Sequence, residues 1–355
     1  MNQASLIREV IQDIAVGPDR GRDISADKAE QLMTAILNNE VDEVQVAVIL
    51  IALRMKRESM DEFIGLFRSL QGSIQQIASP LEHLICLADP FDGYVRHLTM
   101  TPFIPAVLAS LDCPTLMHGV ESVGPKHGIT ASKVYQLAGI NTTKPIQQVA
   151  DDLIEHGWGY LDQSVYAPSL FRLQDLRDRI VKRSALTTLE RLLMPIRAKQ
   201  THLVLGYVHK AYPEIYGTIA ERAGYDTSLL IKGVEGGLAP ALNKPLRRYL
   251  LTKGLKQGQF SEEIKEVIST QQHFDSTAAA HLNENENIDS AVSECLQLGL
   301  DVLSGKKGVA RDSLCFAAAQ FLYAHQTNNS LTAAVEKVEN SLDNGSALKF
   351  FNSAK

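Results

Sequence analysis

The sequence contains no run of 18 or more apolar residues, so it offers no candidate for a membrane-spanning helix. It has only four cysteines, which lie far apart in apolar surroundings and lack the spacing of a metal site. That pattern predicts reduced core residues of a cytoplasmic protein. The first 17 residues are amphipathic and carry charged side chains, which is unlike a secretory signal. The cysteines are Cys86, Cys113, Cys295 and Cys315.

Net charge is also small, because 35 Lys and Arg stand against 41 Asp and Glu, which gives −6. This balance argues mildly against a general coat for nucleic acid, although a total hides local patches. With 355 residues, 45% of them apolar and 21% charged, the chain has an ordinary globular composition. Its length is sufficient for one large α/β unit and a smaller helical one.

The first 75 residues show helical periodicity throughout, with no strand signal before residue 80. Ser25 is placed to cap one helix, and Ser59 with Glu62 forms a capping box for another. Between them, Asp42 opens the segment 44–55, which is apolar on nearly every side and is therefore predicted to be buried. The sequence thus predicts a small N-terminal domain of closely packed helices.

From residue 84 onwards, short apolar runs alternate with helical stretches, which is typical of β-α-β units and a parallel sheet. Each run ends near a Gly, Pro, Asp or His, at the edge where open α/β sheets place ligands. Residues 172–199 interrupt the alternation as a basic helical segment, and residues 261–290 are polar and acidic, which predicts an exposed excursion. We therefore predict an α/β protein, with a small N-terminal helical domain and a larger α/β domain whose central sheet is mainly parallel. The predicted strands are 84–88, 113–117, 158–161, 202–206 and 228–232, and helices return at 291–303, 312–325 and 331–341.

The segment 117–140 combines a strand end, a polar loop and a helix that stops at Gly139. Free backbone N–H groups and the helix dipole converge at such a junction, which makes it a usual place to hold an anion. His118 and Gly119 end the predicted strand, and Lys126 follows in the loop. Lys126 is either an anion contact or a coincidental loop residue.

Three segments resemble the anthranilate phosphoribosyltransferases. Residues 28–72 are similar to their N-terminal helical domain, residues 176–195 to their arginine-rich helix and following loop, and residues 302–350 to their C-terminal helices. The resemblance implies the glycosyltransferase family 3 fold, of the nucleoside phosphorylase and phosphoribosyltransferase type. It also implies a helical domain of residues 1–76 plus about 168–192, an α/β domain of residues 77–167 plus 193–355, and a homodimer formed through the helical domain.

The motifs that hold pyrophosphate in that family are changed at the matching positions. Where the enzymes have Gly-Thr-Gly-Gly-Asp, this chain has Asp89-Pro90-Phe91-Asp92-Gly93. The proline supplies no N–H, the phenylalanine is bulky, and the two carboxylates would repel an anion. The Asn-x-Ser/Thr segment becomes Thr99-Met100-Thr101, whose hydroxyls suit either a phosphate or a helix cap. The Lys-His-Gly-Asn motif becomes Met-His118-Gly119-Val, so both the cation and the amide are missing.

The acidic pair that binds Mg²⁺ in the enzymes is reduced to Glu235. Because Mg²⁺ takes carboxylates and phosphate oxygens, this is a weak metal site unless Asp89 or Asp92 compensates, and we expect Mg²⁺ only if phosphoribosyl transfer is retained. Arg177 matches the arginine that contacts the aromatic substrate's carboxylate, although it fits the solvated face of a basic helix equally well. The candidate anion-binding cleft comprises Asp89, Asp92, Gly93, Thr99, Thr101, His118, Gly119, Lys126 and Arg177.

Phosphoribosyl transfer depends on donors and metal that neutralise the departing pyrophosphate, and several of them change here together. The pattern resembles a divergent subgroup of the same fold that binds nucleic acid as homodimers. We therefore predict binding of single- or double-stranded nucleic acid without sequence specificity. Tyr207, Tyr212 and Tyr216 are candidates for stacking on bases, or else core or interface residues. The predicted phosphate contacts are Arg172, Arg179, Lys182, Arg183, Arg191, Arg197, Lys199, Lys244, Arg247 and Arg248, with Lys126 and Lys133.

Two other hypotheses stay open at this point. In one, the chain is a phosphoribosyltransferase that uses phosphoribosyl pyrophosphate with anthranilate or an altered acidic substrate. In the other, it is a scaffold or regulatory protein that keeps only the dimer. The apolar surplus on 44–55 is compatible with a dimer contact and is explained equally by core packing. The working set of the enzyme hypothesis is Thr99, Thr101, Lys126 and Arg177.

Overall fold

The structure is a computed structural model that describes residues 3–17, 19–252, 255–262, 287–325 and 330–355. The helices are α1 Gln3–Ile14, α2 Ala26–Leu37, α3 Glu43–Lys56, α4 Met60–Ser73, α5 Ile104–Ala109, α6 Ala131–Leu137, α7 Ile146–Glu155, α8 Gln163–Tyr166, α9 Pro168–Phe171, α10 Gln174–Ile180, α11 Ala185–Leu189, α12 Tyr212–Ala223, α13 Ile288–Leu303, α14 Val309–His325, α15 Leu331–Asp343 and α16 Ser346–Asn352. The strands are β1 Ile77–Ala78, β2 His83–Ala88, β3 Thr115–Gly119, β4 Trp158–Asp162, β5 Ile196–Arg197, β6 Gln200–Tyr207, β7 Thr227–Lys232, β8 Leu246–Thr252 and β9 Leu255–Glu262.

Helices α1 to α4 form the N-terminal helical bundle, and the predicted caps are confirmed. The side chain of Ser25 accepts the N–H of Lys28 at the start of α2. Ser59 and Glu62 form the capping box of α4, with each side chain bonded to the other residue's backbone N–H. These caps satisfy N–H groups that the first turn of a helix otherwise leaves without a partner, so they fix where each helix begins.

Helix α3 is buried on one side only, which corrects the prediction that the whole of 44–55 is buried. Its other side leaves Val44 71%, Val48 40% and Met55 67% exposed. At about 100° of rotation per residue, these three side chains lie within roughly 40° of one another around the helix. They form one exposed apolar stripe. The inner face of α3 packs against the protein through Val46, Ile49, Leu50 and Leu53.

The central sheet has the strand order β4-β3-β2-β6-β7-β8-β9, and its first five strands are parallel. The five predicted strands are therefore confirmed as one mainly parallel sheet, with ends shifted by up to two residues. Because the strands run in one direction, their carboxyl ends meet along one edge. Ala88, Gly119, Asp162, Tyr207 and Lys232 are the last residues there.

Strands β8 and β9 extend this sheet with antiparallel pairing, which the sequence did not predict. The small parallel pair of β1 with β5 also went unpredicted and shows that strand structure begins just before residue 80. The segment 261–290, predicted as an exposed excursion, falls largely outside the described residues. Its two ends belong to β9 and α13.

The basic segment 172–199, which the sequence predicted to be helical, is divided into several short elements. It folds as α10, α11 and a short 3₁₀ turn, with β5 at its end. Helices α10 and α11 pack against α3 of the helical bundle, and α11 also packs against α4. This segment therefore joins the bundle to the carboxyl edge of the sheet.

Helices α5 and α13 to α16 cover the face of the sheet that points away from the helical bundle. Their core includes an aromatic cluster in which the Trp158 and Phe351 rings stack with centroids 6.0 Å apart and the Phe103 ring lies 5.4 Å from Phe351. All four cysteines are buried as thiols, as predicted. Within the described ranges, no helix has the length and apolar character needed to cross a bilayer.

Candidate functional site

A cleft lies between the helical bundle and the carboxyl edge of the sheet. Its bundle side carries Arg54 near the end of α3, and Arg183 lies in the turn between α10 and α11. The floor is formed by the ends of β2 and β6 and by the turn that contains Glu235 and Gly236. The lining also includes Asp92, Arg191, Tyr207, His209, Tyr212 and Tyr216.

Asp89, at the end of β2, is sealed inside the protein. Its carboxylate accepts hydrogen bonds from Tyr94 Oη at 2.6 Å, from the hydroxyl of Thr101, and from the N–H of Leu238 at 3.2 Å. Burial raises the pKa of Asp89, and these hydrogen bonds together with the Arg191 charge oppose the rise. The carboxyl group therefore ties the connection after β2 to the turn after β7 and offers no open ligand position.

Glycines near Asp89 serve the packing of the chain on itself. A Cβ at Gly237 would lie 1.6 Å from Tyr94 Oη, and a Cβ at Gly206 would lie 1.9 Å from the carbonyl oxygen of Gly237. Both positions therefore require glycine because backbone and tyrosine occupy the space. In this part of the cleft the glycines admit neighbouring protein atoms.

Asp92 is buried and belongs to a small charge network. Arg183 donates to its Oδ2 through Nε at 3.0 Å and through Nη2, and Lys126 Nζ lies 3.8 Å from its Oδ1. Lys126 also donates to the carbonyl oxygen of Gly93 at 2.9 Å. The structure thus brings together Asp92, Gly93 and Lys126, which the sequence had placed in one cleft, and adds Arg183.

Glu235 accepts four hydrogen bonds. Its Oε1 accepts from the N–H of Arg96 at 2.9 Å and from His97 Nδ1 at 3.1 Å. Its Oε2 accepts from the N–H of Val95 and from Lys126 Nζ, both at 3.3 Å. Burial on its own would raise the pKa of Glu235, but the His97 hydrogen bond, the Lys126 charge and the two backbone N–H groups lower it to about 2.

These partners leave no site suited to Mg²⁺. The carboxylates of Asp89, Asp92 and Glu235 are each held by donors of the protein, and a cation would have to displace them. In the part of the chain that the structure describes, no group of three or more His, Cys, Asp and Glu side chains could hold a metal ion. The residues present therefore do not fit the metal that the resemblance implies.

His118, predicted as a cleft residue at the end of β3, is fully buried behind Phe91. Its Nδ1 lies 3.2 Å from Tyr166 Oη, and its ring makes edge contacts with both Phe91 and Tyr166. Burial, together with the charge of Arg191, lowers the pKa of His118 to about 3, so the ring is neutral near pH 7. Neighbouring Gly119 is also buried. Thr99 is buried too, and its hydroxyl lies 2.9 Å from that of Thr101.

Arg177 makes a buried ion pair. Its Nη1 and Nη2 each lie 2.7 Å from an oxygen of Glu190, which is fully buried and also accepts from Gln163 Nε2 at 3.0 Å. The structure therefore does not bring the Arg177 guanidinium to the cleft as a free carboxylate contact. It also corrects the alternative of a solvated face, because Arg177 is only 4% exposed.

Arg191 was predicted as a surface phosphate contact, but it is 5% exposed and forms part of the cleft floor. Its guanidinium donates to the carbonyl oxygens of Ala88 at 2.8 and 3.2 Å, Gly206 at 3.2 Å and Gly236 at 3.1 Å. Among the described residues, no carboxylate makes an ion pair with it. Arg191 is thus a buried cation held in place by strand-end carbonyls.

The remaining basic residues do not share one surface. Arg248 is buried against Gln320, which removes it from the predicted patch, since this strand turns it towards the core. Arg172 donates to the carbonyl oxygen of Leu37 at 2.6 Å. The exposed members are Arg172; Arg179, paired with Glu43 and Asp175; Lys182 and Arg183 beside the cleft; Arg197 and Lys199 at the amino end of β6; and Lys244 and Arg247 at the start of β8.

Aromatic rings extend the cleft beyond its arginines. Tyr212 and Tyr216 have ring centroids 5.3 Å apart, and His209 lies 6.2 Å from Tyr212. Burial raises the pKa of Tyr207 to about 12 and also raises that of Tyr216. The sequence had identified the tyrosines but had missed Arg54, whose place in an apolar helix concealed it.

Comparison with known proteins extends over nearly the whole chain. A model for the helical bundle domain of a glycosyl transferase family matches residues 8–73, and a model for the a/b domain of a glycosyl transferase family matches residues 99–348. An uncharacterized protein of Aquifex aeolicus is 23% identical over 90% of this chain and 94% of its own length. The anthranilate phosphoribosyltransferase of Sphingopyxis alaskensis is 24% identical over 94% of this chain and 96% of its own. The solved structure of the Saccharomyces cerevisiae anthranilate phosphoribosyltransferase in complex with PRPP and Mg has a TM-score of 0.79 and 15% identity, covering 99% of this chain and 97% of that one.

Proposed function

This chain belongs to the glycosyl transferase family built from a helical bundle and an α/β domain, and we propose that within it the protein binds nucleic acid without sequence preference, as a homodimer. Phosphates would lie on the arginines of the cleft, and bases would stack on Tyr212 and His209, whose rings are not buried in the core. The observation that carries the proposal is the buried guanidinium of Arg191, which lines the cleft and donates to the carbonyl oxygens of Ala88, Gly206 and Gly236.

A buried charge is costly unless an opposite charge or strong hydrogen bonds compensate it. Carbonyl dipoles hold Arg191, but within the described ranges neither Arg191 nor Arg54 forms an ion pair with a carboxylate. Arg183 and Lys126 do pair with Asp92 and Glu235. The lining of the cleft therefore carries three arginines, Arg54, Arg183 and Arg191, beside two carboxylates, and a phosphate chain would add negative charge next to them.

Stacking supports a single strand as the preferred form. Tyr212 is partly buried and His209 is exposed, and their ring centroids lie 6.2 Å apart beside the arginines, while Tyr216 packs behind Tyr212 with only 5% of its surface exposed. Base stacking on an aromatic ring contributes about 1–3 kcal/mol per base and tolerates any sequence. Paired bases in a duplex do not expose their faces to such rings.

The departures from the enzymes fit the same proposal. Asp89 is bonded to Tyr94 and Thr101, and Glu235 is bonded to four donors, so neither is available for a metal-bound pyrophosphate. Phosphoribosyl transfer requires that departing charge to be neutralised. The fold is retained while the chemistry of the cleft changes.

We expect a labelled single-stranded oligonucleotide to bind tightly at low salt in a fluorescence anisotropy titration. Three to four phosphate contacts predict a slope of roughly −2 to −3 in log K against log salt between about 50 and 200 mM. Oligonucleotides of unrelated sequence should bind equally well. Absence of binding at low salt, together with calorimetric binding of phosphoribosyl pyrophosphate and Mg²⁺, would favour a transferase instead.

The dimer is supported by the exposed apolar stripe of α3. Val44, Val48 and Met55 lie on it, and Val181, at the end of α10, is 62% exposed on a helix that packs against α3. Large apolar side chains gathered on one exposed face are typical of a surface that a partner covers. A second copy that presents the same stripe would bury it symmetrically.

We expect Val48→Glu combined with Met55→Glu to convert the dimer into a monomer of 39.0 kDa in light scattering. Carboxylates facing each other across a symmetric contact cost several kcal/mol, so the dimer dissociation constant should rise at least about 100-fold. Leu137→Glu is the matched control, because Leu137 is 51% exposed on α6 of the α/β domain. A double variant that stays dimeric would place the interface elsewhere.

A further inference from the structure

The four donors to Glu235 come from two loops far from it in sequence. Val95, Arg96 and His97 follow the end of β2, and Lys126 lies in the loop after β3. Each carboxylate oxygen accepts two hydrogen bonds, one from a backbone N–H and one from a side chain. Two successive backbone N–H groups with a cationic side chain are the usual components of an anion-binding concavity.

These donors are held in place by contacts that do not involve Glu235. The backbone of Tyr94 pairs with that of Ile129, and this bridge fixes the loop just before Val95. Lys126 donates to the carbonyl oxygen of Gly93 at 2.9 Å and lies 3.8 Å from Asp92. The concavity is therefore expected to stay assembled when the carboxylate leaves.

Glu235 itself reaches the concavity from a strained backbone. Its φ of 51° and ψ of 18° are left-handed, a region that favours glycine. Gly233 lies two residues before it, and Gly236 and Gly237 follow directly, so the turn is otherwise rich in glycine. A glutamate at this position supplies a carboxylate that accepts hydrogen bonds from the four donors.

We propose that the N–H groups of Val95 and Arg96, the His97 ring and the Lys126 amine form a binding site for a phosphate group, and that the Glu235 carboxylate closes it as an internal ligand. Glu235 also lines the cleft, so the phosphate enters from there as the turn of Glu235 moves aside. The inference does not depend on nucleic-acid binding, because a free phosphate and the phosphate of an oligonucleotide present the same oxygens. It makes Glu235 an autoinhibitory contact.

The test is calorimetric titration with inorganic pyrophosphate, without metal, of the wild type, Glu235→Gly and Glu235→Gln. Glycine relieves the left-handed backbone, and glutamine keeps the length of the side chain while it removes the charge. We expect both variants to bind pyrophosphate at least tenfold more tightly than the wild type. Glu82→Gln, which removes an exposed carboxylate at the opposite end of the sheet, should change nothing.

Adding Lys126→Gln to either variant is expected to reverse that gain at least tenfold. If Glu235 only anchors its turn to the loop of Val95, the variants will melt at a lower temperature without any gain in pyrophosphate affinity, and the proposal is overturned. A gain that persists after Lys126→Gln would also overturn it, because the phosphate would then lie elsewhere.

Comparing 5′-phosphorylated and unphosphorylated oligonucleotides on Glu235→Gly shows whether the site takes a terminal phosphate of nucleic acid or only the free ion. If the wild type does not bind oligonucleotides, the proposed function is refuted, but the result of the pyrophosphate titrations is unaffected.

Discussion

Arg54→Glu combined with Arg183→Glu is expected to weaken oligonucleotide binding by at least about 100-fold near 100 mM salt. Each phosphate contact contributes roughly 0.7 to the salt slope for a single strand, so losing two contacts costs about 25-fold at that concentration. The two new carboxylates then repel the phosphate backbone, and Asp92 loses its ion pair with Arg183 while it keeps the one with Lys126. Anisotropy titrations should also show a salt slope that is shallower by about 1.4.

The matched control is Arg197→Glu combined with Lys199→Glu, which changes the net charge by the same amount. Arg197 lies in β5 and Lys199 lies just before β6, so both are at the amino end of the sheet. Strand β6 spans eight residues, which places them roughly 25 Å from the cleft. An equal loss of affinity in both double variants would mean that overall charge, and not the cleft, determines binding.

The comparison of these two double variants requires knowing which basic residues lie beside the cleft and which do not, and the sequence alone could not show this. Sequence reasoning treated all of these cations as phosphate contacts, because it had no information about which way each side chain points. In the structure, Arg191 and Arg248 face inward, and Arg197 and Lys199 lie at the far end of the sheet. Of the exposed residues in the basic segment 172–199, only Lys182 and Arg183 lie beside the cleft.

The fold was largely predictable because its signals are local. Capping residues such as Ser25 and Ser59 mark helix starts within four positions, and parallel strands appear as short apolar runs. Strand β8 was missed because its pattern is mixed, with Arg248 buried between an exposed Arg247 and a half-buried Tyr249. A buried arginine contradicts the alternation of apolar and polar residues by which a strand is recognised.

The site was less predictable because its contacts are long-range. The sequence predicted that Asp89 and Asp92 do not suit a pyrophosphate loop. It could not show that Tyr94 and Thr101 would saturate Asp89, or that Glu235 would reach donors about 140 positions earlier in the chain. Such pairings depend on which strand ends become neighbours, and this is decided by the sheet order.

Arg177→Met is expected to lower the free energy of unfolding by about 3–5 kcal/mol, because it leaves the fully buried carboxylate of Glu190 without its cation. Urea unfolding followed by circular dichroism measures the change. Arg179→Met is the matched control in the same helix. Its partners Glu43 and Asp175 are exposed, so it should cost less than about 1 kcal/mol.

Replacing both partners separates a structural role of Arg177 from contact with a substrate. Arg177→Met with Glu190→Leu removes the buried charge as well as its cation, so it should recover most of the loss, although Gln163 then lacks its acceptor. An arginine that binds the carboxylate of an aromatic substrate would behave differently. Arg177→Met would then abolish calorimetric binding of anthranilate with little effect on unfolding, and the Glu190 change would restore nothing. Because both guanidinium nitrogens lie 2.7 Å from Glu190 and Arg177 is only 4% exposed, the structure favours the first result, in which Arg177 is part of the core of this protein.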